Sequence, residues 1–284
     1  SDSQPSFITI TDPAQRAVAA ILAETADTLQ TPAAIVGGFI RDTLLGRPTP
    51  DLDIVVFGDT AALAKKLADK LRGTFFALDA ETNMYRVILP PNAAFRQIDI
   101  SAAWGTLDED LQRRDFTVNA LACSLDNFDA STGNMSIIGA AQGITDIENR
   151  CLRAVAPDIF HKDPARLLRG VRLAVELGFT IEPTTETTIT ANADLLATVA
   201  GERTREELLR LLSLPMAGTI VEYLDRLSLL TKIFPELEPS RGIEQPKEHA
   251  WDVLNHQMKT VASLDWILGQ GSWPHAAASV RELI

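Results

Sequence analysis

Asp51 and Asp53 stand one residue apart at the start of an apolar run, DLDIVVF, residues 51–57. A strand sends successive side chains to opposite faces, so the two aspartates share one face while Leu52 and Ile54 take the other. Paired carboxylates on a rigid strand form half of a site for a hard divalent cation. Upstream, Gly37 and Gly38 separate a short apolar run from a helix-like stretch carrying Arg41 and Asp42. A diglycine at a helix start is expected to offer bare backbone N–H groups to phosphate. Metal and phosphate are the chemistry to which these six residues point.

Three further groups belong with them. Asp99 lies in a run that alternates cleanly, with Ile98 and Ile100 facing one way and Gln97, Asp99 and Ser101 the other. If that second face is the one bearing Asp51 and Asp53, three carboxylates converge as in two-metal phosphoryl-transfer sites. The stretch DLQRRDFTVNALA, residues 110–122, supplies Phe116, Val118 and Leu121 to a core and leaves Arg114, Asp115 and Asn119 polar. Arg114 suits a triphosphate, and Asn119 suits a ribose or the ordering of the site. In DPARLLRGVRLAVELGF, residues 163–179, Asp163, Arg166, Arg169 and Arg172 recur every third residue of an expected helix. Each step rises about 4.5 Å and falls short of a full turn by about 60°, which draws a slanting stripe. Asp163 and Arg166 together present an acceptor and a donor fork, suited to the edge of a base.

Helical and strand periodicities supply the elements that hold these residues. A helix is expected over residues 13–29, capped by Asp12-Pro13, and another over residues 60–71, with Leu63, Leu67 and Leu71 on one side and Gly73 as its stop. Residues 1–11 read as a loose lead-in. Strands are expected at residues 34–36, 51–57, 74–78, 85–89 and 97–101. From about residue 147 the strand signals stop, and the remainder reads as all-helical, with helices near residues 164–177, 184–196, 202–212, 217–229 and 250–268. The fold class is therefore α+β: a small mixed sheet with helices, then a helical half.

The chain has 284 residues and a formal charge of −12. That charge argues against non-specific coating of nucleic acid, though not against a local basic groove. No apolar run approaches the roughly 20 residues of a membrane span. Cys123 and Cys151 lack metal-ligand spacing and read as free thiols of a reducing compartment, which makes the cytoplasm the expected location. Neither GxxxxGK[ST] nor GxGxxG occurs, so a P-loop or Rossmann nucleotide site is disfavoured. The chain opens on Ser1 and closes in a helix-like run at Ile284, and neither end is read as a native terminus.

The stretches VGGFIRDTLLGRPTPDLDIVV, DLQRRDFTVNALA, DPARLLRGVRLAVELGF and ERTREELLRLL, in this order over residues 35–212, resemble the class II tRNA nucleotidyltransferase and poly(A) polymerase family. That family belongs to the DNA polymerase beta-like nucleotidyltransferase superfamily. The resemblance implies a catalytic head (residues 1–147), a helical neck that recognises the nucleotide (148–215) and a helical body (216–284). It implies Mg2+ on Asp51 and Asp53; Asp99, from the alternation of its own run, is the expected third catalytic carboxylate. Gly37, Gly38, Arg41, Asp42, Arg114, Asp115 and Asn119 would surround the nucleotide. Asp163 and Arg166 would read the base of CTP or ATP, Arg169 and Arg172 would support that site or the triphosphate, and Glu202, Arg205 and Glu206 would brace the neck. The implied partner is the 3′ end of tRNA. Lys162 departs from the acidic residue often found before the base-reading aspartate.

The implied reaction adds CMP, AMP or both to RNA. Its rivals are a poly(A) polymerase, a specialised CC-adding or A-adding enzyme, and a catalytically silent RNA-binding relative, the last disfavoured by the intact Asp51/Asp53 pair. The tail is similar to the start of an HD phosphohydrolase region, with His249, Asp252 and His256. No adjacent His-Asp pair occurs, so a truncated or degenerate helical body is expected rather than a second active site.

Overall fold

The computed structural model describes residues 7–79, 81–139, 141–244 and 251–270. It divides into two compact units, Ser1–Asn149 and Arg150–Ile284. In the first, the chain runs β1 (Phe7–Thr9), α1 (Pro13–Thr28), β2 (Ala33–Val36), α2 (Gly38–Leu44), β3 (Asp51–Val56), α3 (Thr60–Leu71), β4 (Thr74–Asp79), β5 (Met84–Ile88), β6 (Gln97–Ala102), α4 (Leu107–Gln112), β7 (Leu121–Ser124), β8 (Asn134–Gly139) and α5 (Ala141–Glu148).

The eight strands form one mixed sheet in the order β1-β8-β7-β2-β3-β6-β5-β4. β3 and β6 run parallel, and every other pair is antiparallel. The sheet is larger than the sequence suggested. β1 falls in what reads as a lead-in, β7 overlaps the end of the DLQRRDFTVNALA stretch, and β8 follows where no strand is expected. Local patterning misses all three because each is held by its strand partners rather than marked by a period of its own.

Position in the sheet explains the alternation in β3 and β6. Leu52, Ile54, Ile98, Ile100 and Val87 lie on one face and are almost fully buried, and α3 packs against β5 and β6. Leu63 and Leu67 of α3 are fully buried, each such side chain contributing about 1.5–3 kcal/mol. Asp12 and Asp59 cap α1 and α3, accepting from the N–H groups of Gln15 and Ala62 at 2.8 and 2.9 Å. Arg72 closes α3 in the left-handed conformation.

The second unit contains β9 (Cys151–Leu152), α6 (Ile159–Lys162), α7 (Arg166–Leu177), β10 (Thr180–Ile181), α8 (Pro183–Ala191), α9 (Gly201–Leu212), α10 (Ala217–Arg226), α11 (Leu230–Ile233) and α12 (Val253–Gln270). Among its described residues the regular structure is helical except for β9 and β10, a parallel pair of two residues each. The all-helical expectation is corrected to that extent: two-residue strands carry no readable period. Asp252 caps the start of α12, accepting from Asn255 N–H at 2.7 Å and from Gly242 N–H at 3.0 Å. His249 and residues 271–284 lie outside the described residues.

In the first unit, α5 lies hard against the loop that follows α4. A methyl on Gly143 would sit 2.5 Å from the Thr117 carbonyl oxygen and 3.0 Å from Leu121 Cδ2. On an open helix, Gly→Ala stabilises by about 0.4–1 kcal/mol. Gly143→Ala should instead destabilise by about 1–3 kcal/mol through overpacking, read as a lower urea midpoint. A raised midpoint would show that the approach is looser than described.

Candidate active site

The register of β3 on β6 decides where the acidic residues meet. Asp53 lies directly opposite Asp99 and Asp51 opposite Gln97. Facing residues on neighbouring strands share a face, so Asp51, Asp53 and Asp99 project from the same side, with about 4.8 Å between the Asp53 and Asp99 main chains. The side is as the alternation suggested, but a ready three-carboxylate cluster is not what forms. Among the described residues, no three Asp, Glu, His or Cys side chains make a group that could hold a metal ion. Asp99 accepts from Arg86 on β5 through both oxygens, Nε to Oδ1 and Nη2 to Oδ2, each at 2.7 Å. Asp51 accepts from Arg96 Nη2 at 2.9 and 3.1 Å in an exposed pair. The donors are nonetheless hard oxygen ligands in register on adjacent strands, the chemistry that suits Mg2+.

β2 places the diglycine beside this row, with Val36 opposite Asp53 on the other side of β3. Gly37 has φ 75° and ψ −137°, a conformation that essentially only glycine adopts. A Cβ there would lie 3.4 Å from Arg114 Nη1 and 3.5 Å from Asp53 Oδ2, so glycine, aspartate and arginine meet at one point. The Gly37 N–H donates to the Leu121 carbonyl at 3.1 Å, so it is not the bare phosphate donor that the sequence suggested. Its role is conformational: it turns the chain from β2 into α2. Gly38 leaves room for the Arg41 guanidinium, whose Nη2 would lie 3.4 Å from a Cβ at that position.

Four of the expected nucleotide ligands face one another instead. Arg41, buried at 7% exposure, donates Nε and Nη2 to the Asp42 carboxylate at 2.8–3.0 Å and Nη1 to Asn119 Oδ1 at 2.6 Å. Asn119 Nδ2 donates to Asp115 Oδ1 at 3.1 Å, and the same oxygen accepts the Phe116 N–H at 2.7 Å. This chain of bonds ties α2 to the short 3-10 turn Thr117–Asn119. Thr117 Oγ1 anchors the turn from the other side, donating to Asp146 Oδ2 at 2.7 Å. Arg114 stands at the rim of the network and donates to Asp110 at 3.1 Å.

In the second unit, the expected stripe divides. Asp163 precedes α7 and does not lie on it. Pro164 follows it and favours extended backbone, and Asp163 has φ −150° and ψ 96°. Its Oδ1 accepts from Ala165 N–H at 3.2 Å and its Oδ2 from Arg203 Nη2 at 2.9 Å, with Arg166 Nε at 3.8 Å. Burial works to raise the Asp163 pKa. The hydrogen bond and charge of Arg203, the Ala165 N–H and the Arg166 charge outweigh it and hold the carboxyl below its ordinary value. Arg169 is exposed. Arg172 is buried, donating to Glu207 and Glu176 at 2.6 Å each, so it braces α7 against α9 rather than reaching outward.

The brace on α9 is therefore Arg203 and Glu207, one helical turn apart. Glu202, Arg205 and Glu206, expected in that role, are exposed, as Arg203 itself is, and Glu206 pairs with Arg210 at 2.6 Å rather than with α7. A helix turns 100° per residue, so an offset of one residue selects a different face. The i, i+4 spacing of Arg203 and Glu207 was the available signal. For Arg86 and Arg96 there was none, since strand order is absent from the local pattern. Lys162 forms a surface pair with Asp158 at 2.8 Å.

Comparison with known proteins follows the same division. Residues 33–153 match the family described as the poly A polymerase head domain, and residues 178–240 match the probable RNA and SrmB-binding site of polymerase A. The chain belongs to the poly(A) polymerase and tRNA nucleotidyltransferase family. Among family members, a CC-adding tRNA nucleotidyltransferase of Geobacter sulfurreducens is 42% identical over 183 residues, covering 64% of this chain and 40% of that protein. An A-adding tRNA nucleotidyltransferase of Deinococcus radiodurans is 36% identical over 237 residues, covering 82% and 54%. The Thermotoga maritima CCA-adding enzyme, solved with tRNA, superposes with a TM-score of 0.77 at 25% identity, covering 98% of this chain and 65% of that one. The chain spans about half the length of the curated relatives that it matches.

The Asp163–Arg203 pair carries a pH signature. A carboxyl whose folded pKa is depressed adds stability above its unfolded value, near 3.9, and loses it as pH falls through the folded value. The pair is partly exposed, so Arg203→Met should lower stability at pH 7 by less than about 1 kcal/mol. The gap between the two melting curves should close as the pH is taken below about 4. A gap that persists unchanged at pH 3 would refute the assignment.

Proposed function

We propose that this chain is the nucleotidyl-transferring part of an enzyme that extends the 3′ end of tRNA with CMP, AMP or both, drawn from CTP and ATP, with release of pyrophosphate. The observation that carries this reading is the in-register meeting of Asp53 and Asp99, with Asp51 on the same face and Gly37 and Arg114 alongside. Solved relatives described as complexes with tRNA, CTP and ATP support the same substrates. Asp51 and Asp53 would hold the divalent cation, expected to be Mg2+, which supplies charge neutralisation at the phosphates and activation of the attacking 3′-hydroxyl. Arg114 serves the sugar–phosphate part of the nucleotide. The Arg41–Asn119–Asp115 network keeps Arg114 and Gly37 in place, so that positioning and charge stabilisation do most of the catalysis.

The division of labour that we infer is a head at residues 1–147, a neck at 148–215 and a body at 216–284. Asp163, aimed by Arg203, and Arg166 present the acceptor and donor that choose the base. Arg169, exposed on α7, would serve the triphosphate or the RNA, while Arg172 holds the helix. Among the described residues no helix is long and apolar enough to cross a membrane. The cytoplasm is the location that a role in tRNA maturation would suit.

Relatives named for adding CC, CCA and A match at 42%, 40% and 36% identity, so identity alone does not separate the three products. Labelled CTP and ATP, offered separately to tRNAs lacking CCA, lacking A, or intact, identify which is made. Asp53→Ala should lower incorporation about 100-fold or more while the circular dichroism spectrum and melting curve stay those of a folded protein. Normal turnover in that folded variant would sink the reading. Arg166→Ala should change the ratio of CMP to AMP incorporated more than it changes the melting temperature; an unaltered ratio would remove Arg166 from base choice.

A further inference from the structure

Arg86 makes the shortest hydrogen bonds to the aspartates of the acidic face, and nothing in the reaction described above uses it. The row Asp53–Asp99–Arg86–Phe76 runs across β3, β6, β5 and β4 in register. Arg86 therefore belongs to the same side of the sheet as the three aspartates. Its planar fork takes both oxygens of Asp99 at 2.7 Å, the strongest geometry available to an arginine and a carboxylate. The pair is neither sealed nor loose, at 29% and 23% side-chain exposure, and Phe76 beside it is 45% exposed, so solvent and small ions reach the pair.

We propose that Arg86 is a removable counter-cation of the catalytic face, occupying Asp99 until a divalent ion displaces it, and so setting how tightly that ion binds. The proposal rests on the reading of Asp51 and Asp53 as a cation site and extends that site to Asp99, which faces Asp53 in register. Three carboxylates on one face repel one another at the distances of neighbouring strands, and a positive charge among them relieves that repulsion. Arg86 responds to all three: its pKa is raised first by the hydrogen bond to Asp99, against the effect of burial, and further by the charges of Asp99, Asp51 and Asp53. The Arg86 fork takes one lone pair on each Asp99 oxygen, the positions that a metal ion chelated by the same carboxylate would use. Arg86 and the metal therefore compete. Arg96 on Asp51 is a weaker version of the same arrangement, using one nitrogen in a more exposed pair.

A purely structural cross-strand ion pair would affect the melting temperature and nothing else. The test therefore reads metal binding directly, by Mn2+ titration of the full chain with electron paramagnetic resonance, without substrate. Arg86→Gln should tighten Mn2+ binding roughly two- to fivefold, the size of a partly exposed ion pair. Arg86→Lys should fall between Gln and the unaltered chain, because an ammonium cannot grip both oxygens. In an Asp99→Asn background, Arg86→Gln should have no effect on the titration. Unchanged or weaker Mn2+ binding in folded Arg86→Gln or Arg86→Lys protein overturns the proposal, as does an unaltered chain that binds no Mn2+. Incorporation of labelled CMP and AMP is scored separately. The expected Mn2+ shift without any incorporation would count against the proposed reaction and leave the competition standing.

Discussion

Like charges held side by side on a rigid sheet repel, and the first unit is arranged around that fact. β3 and β6 run parallel in the middle of an otherwise antiparallel sheet, and their register brings Asp53 against Asp99. The opposite face of the same strands is almost fully buried, with Leu52, Ile54, Ile98 and Ile100 in the core. A slip of one residue would send those apolar side chains to solvent, so hydrophobic burial fixes the register. The repulsion on the acidic face is thus imposed by the core, and it is met by cations: Arg86 within the sheet, Arg96 just before β6, and a divalent ion in the activity we propose.

Buried arginines do different work from these. Arg41 in the first unit and Arg172 in the second are each buried with their hydrogen-bonding capacity turned onto neighbouring carboxylates and an amide. Such groups are costly to bury unless their partners are in place, so they specify one arrangement of the elements that carry them. In the first unit that arrangement holds Gly37, Asp53 and Arg114 together. In the second it holds α7 against α9, and Arg203 on α9 aims Asp163. Each unit therefore keeps its outward-facing polar residues in position with a buried set that lies behind them.

Sequence reading recovered what is local and lost what depends on partners. The aspartate pair, the alternation of residues 97–101 and the amphipathic helices were legible, because burial on one face leaves a period in the chain. β1, β7 and β8 were not, nor was the Arg86–Asp99 bond, because each depends on which strands become neighbours. Asp163 was assigned to a helix although Pro164 behind it argued for extended backbone, which is what forms. Arg41, Asp42, Asp115 and Asn119 were read as a ligand shell. Polar residue types alone do not tell a group that faces a substrate from one that faces another side chain.

The order of the strands also bears on how the chain is made. β2 lies between β3 and β7, and β1 at the sheet edge pairs with β8, so partners are drawn from opposite ends of the first unit. During synthesis, β2 presents an open edge of main-chain donors and acceptors until residues 121–124 have emerged, and the outermost pairing waits for residues 134–139. Contacts this distant along the chain slow folding, because much loop entropy is lost before they form. An incomplete chain is thus left with a bare strand beside its acidic row, the kind of edge that invites pairing with another molecule.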